Sequence, residues 1–169
     1  MTNPAPEKKI GKAMLTISWV IVLVGLTLIF GRWEDQQYNP NQSVTTTPTG
    51  EIVLQQNKQN HYLTSGLING QAVVFMLDTG ATHVAVPAAL AQQLGLKPGY
   101  RHNAMTANGI VEVRDTKIST LTIGPITLRN VRASINPGMS GPEILLGMSA
   151  LKDLELTQRD NTLTIKQIH

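Results

Sequence analysis

A single aspartate is the strongest candidate for chemistry because of where the chain places it. Asp78 directly follows the apolar run 73–77 and precedes the turn-forming tripeptide 79–81. The run predicts a strand buried on both faces, which would deliver the carboxylate into a tight turn. A carboxylate there needs hydrogen bonds, and Gly80 lets backbone N–H groups approach it closely. The segment predicts either general acid–base chemistry or, more simply, an aspartate that caps the turn before Thr82.

Other common catalytic machinery is missing from the sequence. The chain has no cysteine, which excludes disulfide scaffolds, thiolate zinc sites, iron–sulfur clusters and cysteine nucleophiles. It also has no His-Glu-x-x-His, no Walker loop and no Gly-x-Gly-x-x-Gly. The segment 147–151 begins like a nucleophile elbow but has leucine in place of the second glycine. The four histidines lack metal-ligand spacing, so we expect neither a metal nor another cofactor.

The elements that must position Asp78 are predicted to be mainly strands. From Glu51 onward, short segments rich in Val, Ile, Leu and Thr alternate with turn signals. We expect hairpins at Asn69-Gly70, at Asn108-Gly109 and at 159–161, and a break between two strands at Gly124-Pro125. Two short helices are expected, over 87–94 and around 149–152. These elements predict an all-β, closed and barrel-like domain of about 120 residues.

The order of three motifs supports a functional role for Asp78 more strongly than Asp-Thr-Gly alone does. Asp-Thr-Gly-Ala-Thr begins at Asp78, Thr-Ala-Asn-Gly spans 106–109, and Leu-Leu-Gly-Met-Ser spans 145–149. Over residues 60–167 this order resembles the retropepsin-like aspartic proteases, and in particular membrane-anchored bacterial members of that clan. The resemblance implies an acid-protease fold of the closed, barrel-like type.

The resemblance also implies a role for each residue of the first motif. Asp78 would be the catalytic carboxylate. The Thr79 hydroxyl would form a hydrogen bond across a dimer and hold the two loops in register. The Gly80 N–H would donate to the carboxylate, and Ala81 would pack beside the cleft.

The other two motifs are implied to cover and to support the site. A flap over the substrate would be formed by Thr106, Ala107, Asn108 and Gly109. Its tip lacks the run of glycines found in retroviral enzymes. Close packing beneath the aspartate loop would come from Leu145, Leu146 and Gly147, and for these three residues plain core packing predicts the same contacts.

One Asp-Thr-Gly per chain implies a homodimer. Two carboxylates about 3 Å apart cannot both ionise, so an aspartic protease pair shares a proton. One Asp78 would take a proton from the attacking water, while its protonated counterpart in the second subunit would hydrogen-bond the scissile carbonyl. We expect the terminal strand 163–168 to contribute to the dimer contact.

A membrane anchor is predicted at the N-terminus. Nineteen uncharged residues, Ala13 to Gly31, would form a helix about 28 Å long, which matches a bilayer core. A cleaved signal peptide is the alternative, but the run ends without a small-x-small site. Three lysines before it place the tail 1–12 in the cytoplasm. We expect a flexible linker over 32–50 and an extracytoplasmic protease domain over 51–169, periplasmic in a Gram-negative cell.

Composition disfavours nucleic acid as a partner, since the net charge of +3 forms no basic stripe and only 4% of residues are aromatic. The leading hypothesis is a membrane-anchored aspartic endopeptidase that cleaves peptide or protein substrates. The alternatives are a non-catalytic domain on the same fold that binds extended peptides, and a membrane-assembly protein. The last has less support, because Gly25 is the only glycine between Ala13 and Phe30 and no Gly-x-x-x-Gly face exists.

Overall fold

A computed structural model describes residues 6–106 and 109–168 and divides the chain into two compact units, one ending at Gln37 and the other beginning at Tyr38. The predicted flap residues Ala107 and Asn108 lie outside the described residues. Helix α1, Pro6–Tyr38, covers the predicted span and continues beyond it. Among the described residues it is the one helix long and apolar enough, by length and composition, to cross a membrane.

Polar side chains within α1 bond to the helix itself. The hydroxyls of Thr16, Ser18 and Thr27 donate to the carbonyl four residues earlier, at 2.9, 2.9 and 2.8 Å respectively. Such internal bonds remove the need for water around these hydroxyls. The helix is therefore compatible with an apolar environment along its central part.

The second unit consists of strands and two short helices, which confirms the predicted fold class. The strands are β1 Thr45–Thr46, β2 Ile52–Gln55, β3 Leu63–Ile68, β4 Gln71–Leu77, β5 Val84–Pro87, β6 Arg101–Thr106, β7 Gly109–Ile123, β8 Ile126–Asn136, β9 Glu143–Leu146, β10 Leu154–Arg159 and β11 Thr162–Gln167. The helices are α2 Ala88–Ala91 and α3 Met148–Leu151. Helix α2 is shorter than the predicted 87–94.

The larger sheet forms an incomplete barrel. Its strand order is β3-β4-β9-β5-β8-β7-β6, and a short pairing of β3 with β7 brings the ring together. Gly66 permits this pairing, since an added Cβ would lie 2.6 Å from the Phe75 ring and against the Thr122 carbonyl. Only Ala85↔Leu145 joins β5 to β9. The predicted closed barrel is thus a partial ring.

The predicted turns explain the hairpins. Asn69 and Gly70 have φ angles of 51° and 82°, as a type I′ turn between β3 and β4 requires. Strands β6 and β7 pair from Arg101↔Arg114 to Thr106↔Gly109, so the second hairpin is present up to its tip. Strands β10 and β11 form the third.

The segment predicted as a flexible linker, 32–50, differs from that prediction. Helix α1 continues to Tyr38, and the residues after it are held on the β domain. Asn41 is 4% exposed; its Nδ2 donates to the carbonyls of Gln55 and Leu63, and its Oδ1 accepts from the Gln55 N–H. The Asn41 side chain therefore connects this segment to the backbone of β2 and β3 by hydrogen bonds, which composition alone does not indicate.

The terminal strand, which the sequence predicts to contribute to a dimer contact, lies in the smaller sheet, and that contribution stays a prediction. Strand β11 lies inside a four-stranded antiparallel sheet of order β1-β2-β11-β10. Both of its edges are therefore hydrogen-bonded within the chain. It cannot add a strand from a second subunit without displacing β2 or β10, and within the described chain the edges of this sheet are β1 and β10.

Candidate active site

Two parallel strands position the aspartate loop. Strands β4 and β9 pair side by side and end together at Leu77↔Leu146. Phe75 on β4 and Ile144 and Leu146 on β9 are completely buried. Because parallel strands end at the same edge of a sheet, the residues after Leu77 and after Leu146 meet there. These are the Asp-Thr-Gly loop and the Gly147 turn.

Hydrogen bonds shape the loop and orient the carboxylate. The Asp78 N–H donates to the Leu146 carbonyl at 3.2 Å, and the Ala81 N–H donates to the Asp78 carbonyl at 3.3 Å. The Gly80 N–H donates to Asp78 Oδ1 at 2.9 Å, which is the contact that the resemblance implied. Asp78 is half-buried and Thr79 is exposed. The second carboxylate oxygen is left for other partners, since no bond to it occurs among the described residues.

Gly147 lies directly against the aspartate loop. A Cβ at this position would be 2.6 Å from the Ala81 carbonyl oxygen and would overlap that of His83. The next two N–H groups donate into the same loop, from Met148 to the Ala81 carbonyl at 2.8 Å and from Ser149 to the Thr82 carbonyl at 3.0 Å. The 145–147 segment therefore supports the loop by backbone contact, for which glycine is required.

Ser149 connects this support to the rest of the sheet. Its Oγ accepts from the Val84 N–H at 3.0 Å and donates to the Arg132 carbonyl at 2.7 Å. These two bonds join α3 to the start of β5 and to β8. The aspartate loop is thus fixed from both of its ends.

A cavity of about 770 Å³ opens at Asp78. Besides the aspartate, its lining consists of Gly80, Ala81, Thr82, His83, Ala85, His102, Asn103, Ala104, Met105, Thr106, Val111, Val113, Ser134, Asn136, Gly138, Met139 and Leu145. Asp78 is the only carboxylate in this lining of described residues. They also contain no group of three or more His, Cys, Asp or Glu side chains that could hold a metal.

The hairpin of β6 and β7 forms one wall of the cavity. Thr106 lines it, and the Thr106 Oγ1 donates to the Gly109 carbonyl at 2.8 Å, close to the end of the described ladder. Two side-chain pairs cross the hairpin, the ion pair Arg101–Glu112 at 3.1 Å and the contact of His102 with Asp115 at 3.2 Å. All four partners are exposed, so each pair adds little stability. The hairpin is held mainly by its backbone ladder.

The structure brings most of the predicted site residues to one place and adds several more. Asp78, Gly80, Ala81, Thr106 and Leu145 all line the cavity, whereas Leu146 and Gly147 lie beneath the loop.

Sequence reasoning missed four other residues that line the cavity, Ala85, His102, Ser134 and Asn136. The alternation of polar and apolar residues over 133–136 indicates that Ser134 and Asn136 share a face. That this face borders the cavity follows only from the sheet register.

Comparison with known proteins is consistent with this geometry. The model of a family described as gag-polyprotein putative aspartyl protease matches residues 64–153, just over half of the chain. The crystal structure of a retropepsin-like aspartic protease from Rickettsia conorii superposes with a TM-score of 0.60 at 28% sequence identity, covering 68% of this chain and 98% of that one. The family match, over residues 64–153, includes Asp78 and Gly147.

Two relatives of undetermined function are also similar. An uncharacterised protein from the cobV 5′ region of Sinorhizobium sp is 34% identical over 111 residues, covering 64% of this chain and 48% of that protein. An uncharacterised protein of Rickettsia prowazekii (strain Madrid E) is 30% identical over 124 residues, covering 71% and 52%. The chain spans about half the length of these relatives. From the family match and the shared fold, we conclude that this chain belongs to the gag-polyprotein putative aspartyl protease family and has a retropepsin-like fold.

Proposed function

We propose that the protein is a membrane-anchored aspartic endopeptidase that is active as a homodimer. The observation that carries the proposal is the lone carboxylate of the cavity, Asp78, in the loop of a retropepsin-like fold. Hydrolysis by this chemistry needs two carboxylates that share a proton. A two-fold dimer supplies the second one from the same position of the other subunit.

The proposed chemistry places this loop at the reaction centre. In the dimer, the ionised Asp78 takes a proton from a water molecule as the water attacks the scissile carbonyl carbon. The protonated Asp78 of the other subunit donates a hydrogen bond to the carbonyl oxygen and stabilises the tetrahedral intermediate. The Gly80 N–H, 2.9 Å from Oδ1, keeps each carboxylate in the required orientation. Thr79 is exposed beside it and would contact the other subunit.

The remaining parts of the site would bind substrate. The hairpin that carries Thr106 and Gly109, with Ala107 and Asn108 at its tip, would cover an extended peptide and pair with its backbone. The cavity volume of about 770 Å³ is sufficient for several side chains of such a peptide. Peptides and proteins are therefore the proposed substrate class.

Anchoring and location rest on α1. The helix is apolar from Ala13 to Gly31, and its preceding lysines favour a cytoplasmic N-terminus with the protease domain on the opposite side of the membrane. Because the chain has no cysteine, a single introduced cysteine reports its side unambiguously. Ser119→Cys should react with a membrane-impermeant maleimide in intact spheroplasts, whereas Thr2→Cys should react only after lysis. The reverse pattern would contradict the proposed orientation.

The catalytic proposal is tested with the full-length protein in detergent and a complex peptide mixture. New termini identified by mass spectrometry should appear with wild type and disappear with Asp78→Asn. Asp160→Asn, in the β10–β11 turn, is the matched control and should cleave normally. Peptide binding that survives Asp78→Asn, with no cleavage by wild type, would instead favour the non-catalytic peptide-binding alternative.

Subunit mixing tests the dimer directly. Wild type and Asp78→Asn are combined at a constant total concentration and allowed to exchange subunits. If each active unit needs Asp78 from both chains, the rate follows the square of the wild-type fraction. At half wild type, one quarter of the activity should remain. A linear decrease to one half would show that each chain works alone.

A further inference from the structure

Strand β8 presents two polar side chains to the cavity. Ala133 and Ile135 lie in the hydrophobic core, so the alternation of a strand places Ser134 and Asn136 on the opposite face. Both line the cavity that contains Asp78, and both are only 8% exposed. Polar groups buried to this extent are ordinarily hydrogen-bonded.

The hydrogen-bonding capacity of these two side chains is not used up within the protein. Asn136 Oδ1 accepts from the Gly138 N–H at 2.8 Å, which orients the amide and leaves both Nδ2–H donors open. Within the described part of the chain, neither Asn136 Nδ2 nor the Ser134 hydroxyl has a hydrogen-bond partner. Ser134 and Asn136 thus form a polar floor of the cavity. Its donors are open to the cavity rather than buried without a partner, since among the described side chains only the Tyr62 hydroxyl is a fully buried polar group with no hydrogen bond.

The sheet register fixes how far this floor lies from the proposed reaction centre. Ser134 pairs with Ala85 on β5, and Ala85 pairs with Leu145 on β9. Leu145 immediately precedes Leu146, whose carbonyl accepts from the Asp78 N–H. Two strand spacings separate Ser134 from Leu145, or about 10 Å. An extended peptide advances about 3.4 Å per residue, so the floor lies within about three residues of the scissile bond.

We propose that Ser134 and Asn136 form a polar substrate subsite that selects a side-chain carboxamide, that is, glutamine or asparagine. The carboxamide oxygen accepts from Asn136 Nδ2, and its NH₂ donates to the Ser134 hydroxyl. The small neighbour Ala85 leaves room beside them. This inference rests on the proposed peptidase function, since it assigns a specificity to the same cavity.

The charges around the floor favour a neutral polar side chain over an ionised one. The described lining contains no Lys or Arg to neutralise a substrate carboxylate. Its two histidines, His83 before β5 and His102 on β6, are not on the strand that carries the floor. Its only carboxylate is Asp78, which the reaction itself requires, so a substrate cation has no dedicated partner. An aliphatic side chain would leave the Asn136 amide and the Ser134 hydroxyl unsatisfied, which is the basis on which polar sites reject apolar analogues.

The test uses pairs of peptides that share one aliphatic sequence and differ only in having glutamine or leucine at one position. A series of such pairs places that position at each site along the sequence in turn. Cleavage by the full-length wild type gives kcat/KM for each peptide, and fluorescence anisotropy with Asp78→Asn gives the affinity without turnover. We expect one position, within three residues of the cleaved bond, where glutamine is favoured about tenfold or more in both measurements.

Two variants decide whether the floor is responsible. Ser134→Ala should reduce the glutamine-to-leucine ratio to about threefold or less, and Asn136→Leu should reverse it in favour of leucine. Asn136→Leu also removes the acceptor of the Gly138 N–H and can impair folding. If Asn136→Leu does not fold, Ser134→Ala alone decides the test. A purely structural effect would lower both rates together and leave the ratio unchanged. Ser119→Ala, on the exposed face of β7, is the control and should leave the ratio intact.

The outcomes separate this inference from the proposed function. Cleavage that depends on Asp78 without any glutamine preference, or with a preference that neither variant changes, overturns the subsite and leaves the peptidase. No cleavage by wild type refutes the peptidase. The anisotropy measurement then decides the subsite on its own: a glutamine preference in binding that Ser134→Ala removes supports it, and equal affinities overturn it.

Discussion

Replacing Asn41 by alanine tests whether the segment after α1 is an integral part of the β domain. Asn41 sits three residues beyond the last helical residue, in the stretch whose composition predicts a flexible linker. Its side chain makes three hydrogen bonds to two strands, β2 and β3. They run from Nδ2 to the Gln55 carbonyl at 2.9 Å, from Nδ2 to the Leu63 carbonyl at 2.6 Å, and from the Gln55 N–H to Oδ1 at 2.7 Å.

The expected loss in the free energy of unfolding follows from these bonds. Each contributes about 1 kcal/mol net, so Asn41→Ala should cost about 3 kcal/mol. Gln55 is exposed, and water can replace the bonds to its backbone. Leu63 is 2% exposed, so its carbonyl stays unsatisfied and adds about 1 to 2 kcal/mol. The total of about 4 to 5 kcal/mol is a large part of the stability of an ordinary domain.

Denaturant unfolding of the full-length protein in mild detergent, followed by the β-sheet circular dichroism signal, measures this loss. Gln42→Ala removes a neighbouring exposed amide and is the matched control, expected within about 0.5 kcal/mol of wild type. Equal midpoints for Asn41→Ala and Gln42→Ala would refute the reasoning. The segment would then be a tether, as its composition predicts.

Three further outcomes follow from the fold. A soluble fragment that begins at Tyr38 should fold. A fragment that begins at residue 51 lacks the Asn41 bonds and should be less stable by a similar amount, about 4 to 5 kcal/mol, so equal melting curves for the two fragments would contradict this. Gly147→Ala should destabilise the domain by about 1 to 3 kcal/mol or more and abolish cleavage, because the added Cβ would overlap carbonyl oxygens of the aspartate loop. Gly31→Ala, which has no atom within 4 Å of the added Cβ, is the control and should have neither effect. The cleavage rate should fall above neutral pH as the shared proton is lost, and a pH profile that keeps rising through neutrality would argue against the Asp78 pair.

Local sequence signals were reliable where the local backbone decides the structure. Asn69-Gly70 predicts its turn because positive φ angles are accessible to these residues, and the structure has them. The apolar run before Asp78 forms β4 as predicted, but only Phe75 in it is fully buried and its neighbours are half-buried, so the predicted burial on both faces is incomplete. The short helix after Gly147 likewise begins at Met148. These elements depend on neighbouring residues in the chain.

The sequence did not predict structure that depends on contacts with residues distant in the chain. The polar segment around Asn41 has a disordered-type composition, yet its asparagines satisfy strand edges that lie far along the chain. The position of β11 between β2 and β10 was also not predicted, while its contribution to a dimer contact stays a prediction. A strand ends up at an edge or in the interior according to which partners pair with it, and the alternation pattern of a single strand does not contain that information.

The sequence by itself determined the candidate chemistry: one Asp-Thr-Gly per chain, no cysteine, and a supporting Leu-Leu-Gly turn near the domain's end. These are matters of residue type and order. Only the tertiary structure placed Ser134 and Asn136 on the floor of the Asp78 cavity, at the end of the pairings Leu145↔Ala85 and Ala85↔Ser134. The physical reason is that register between strands distant in the chain is set by the packing of the whole sheet, so the residues that line a cavity between strands are known only once the sheet has formed.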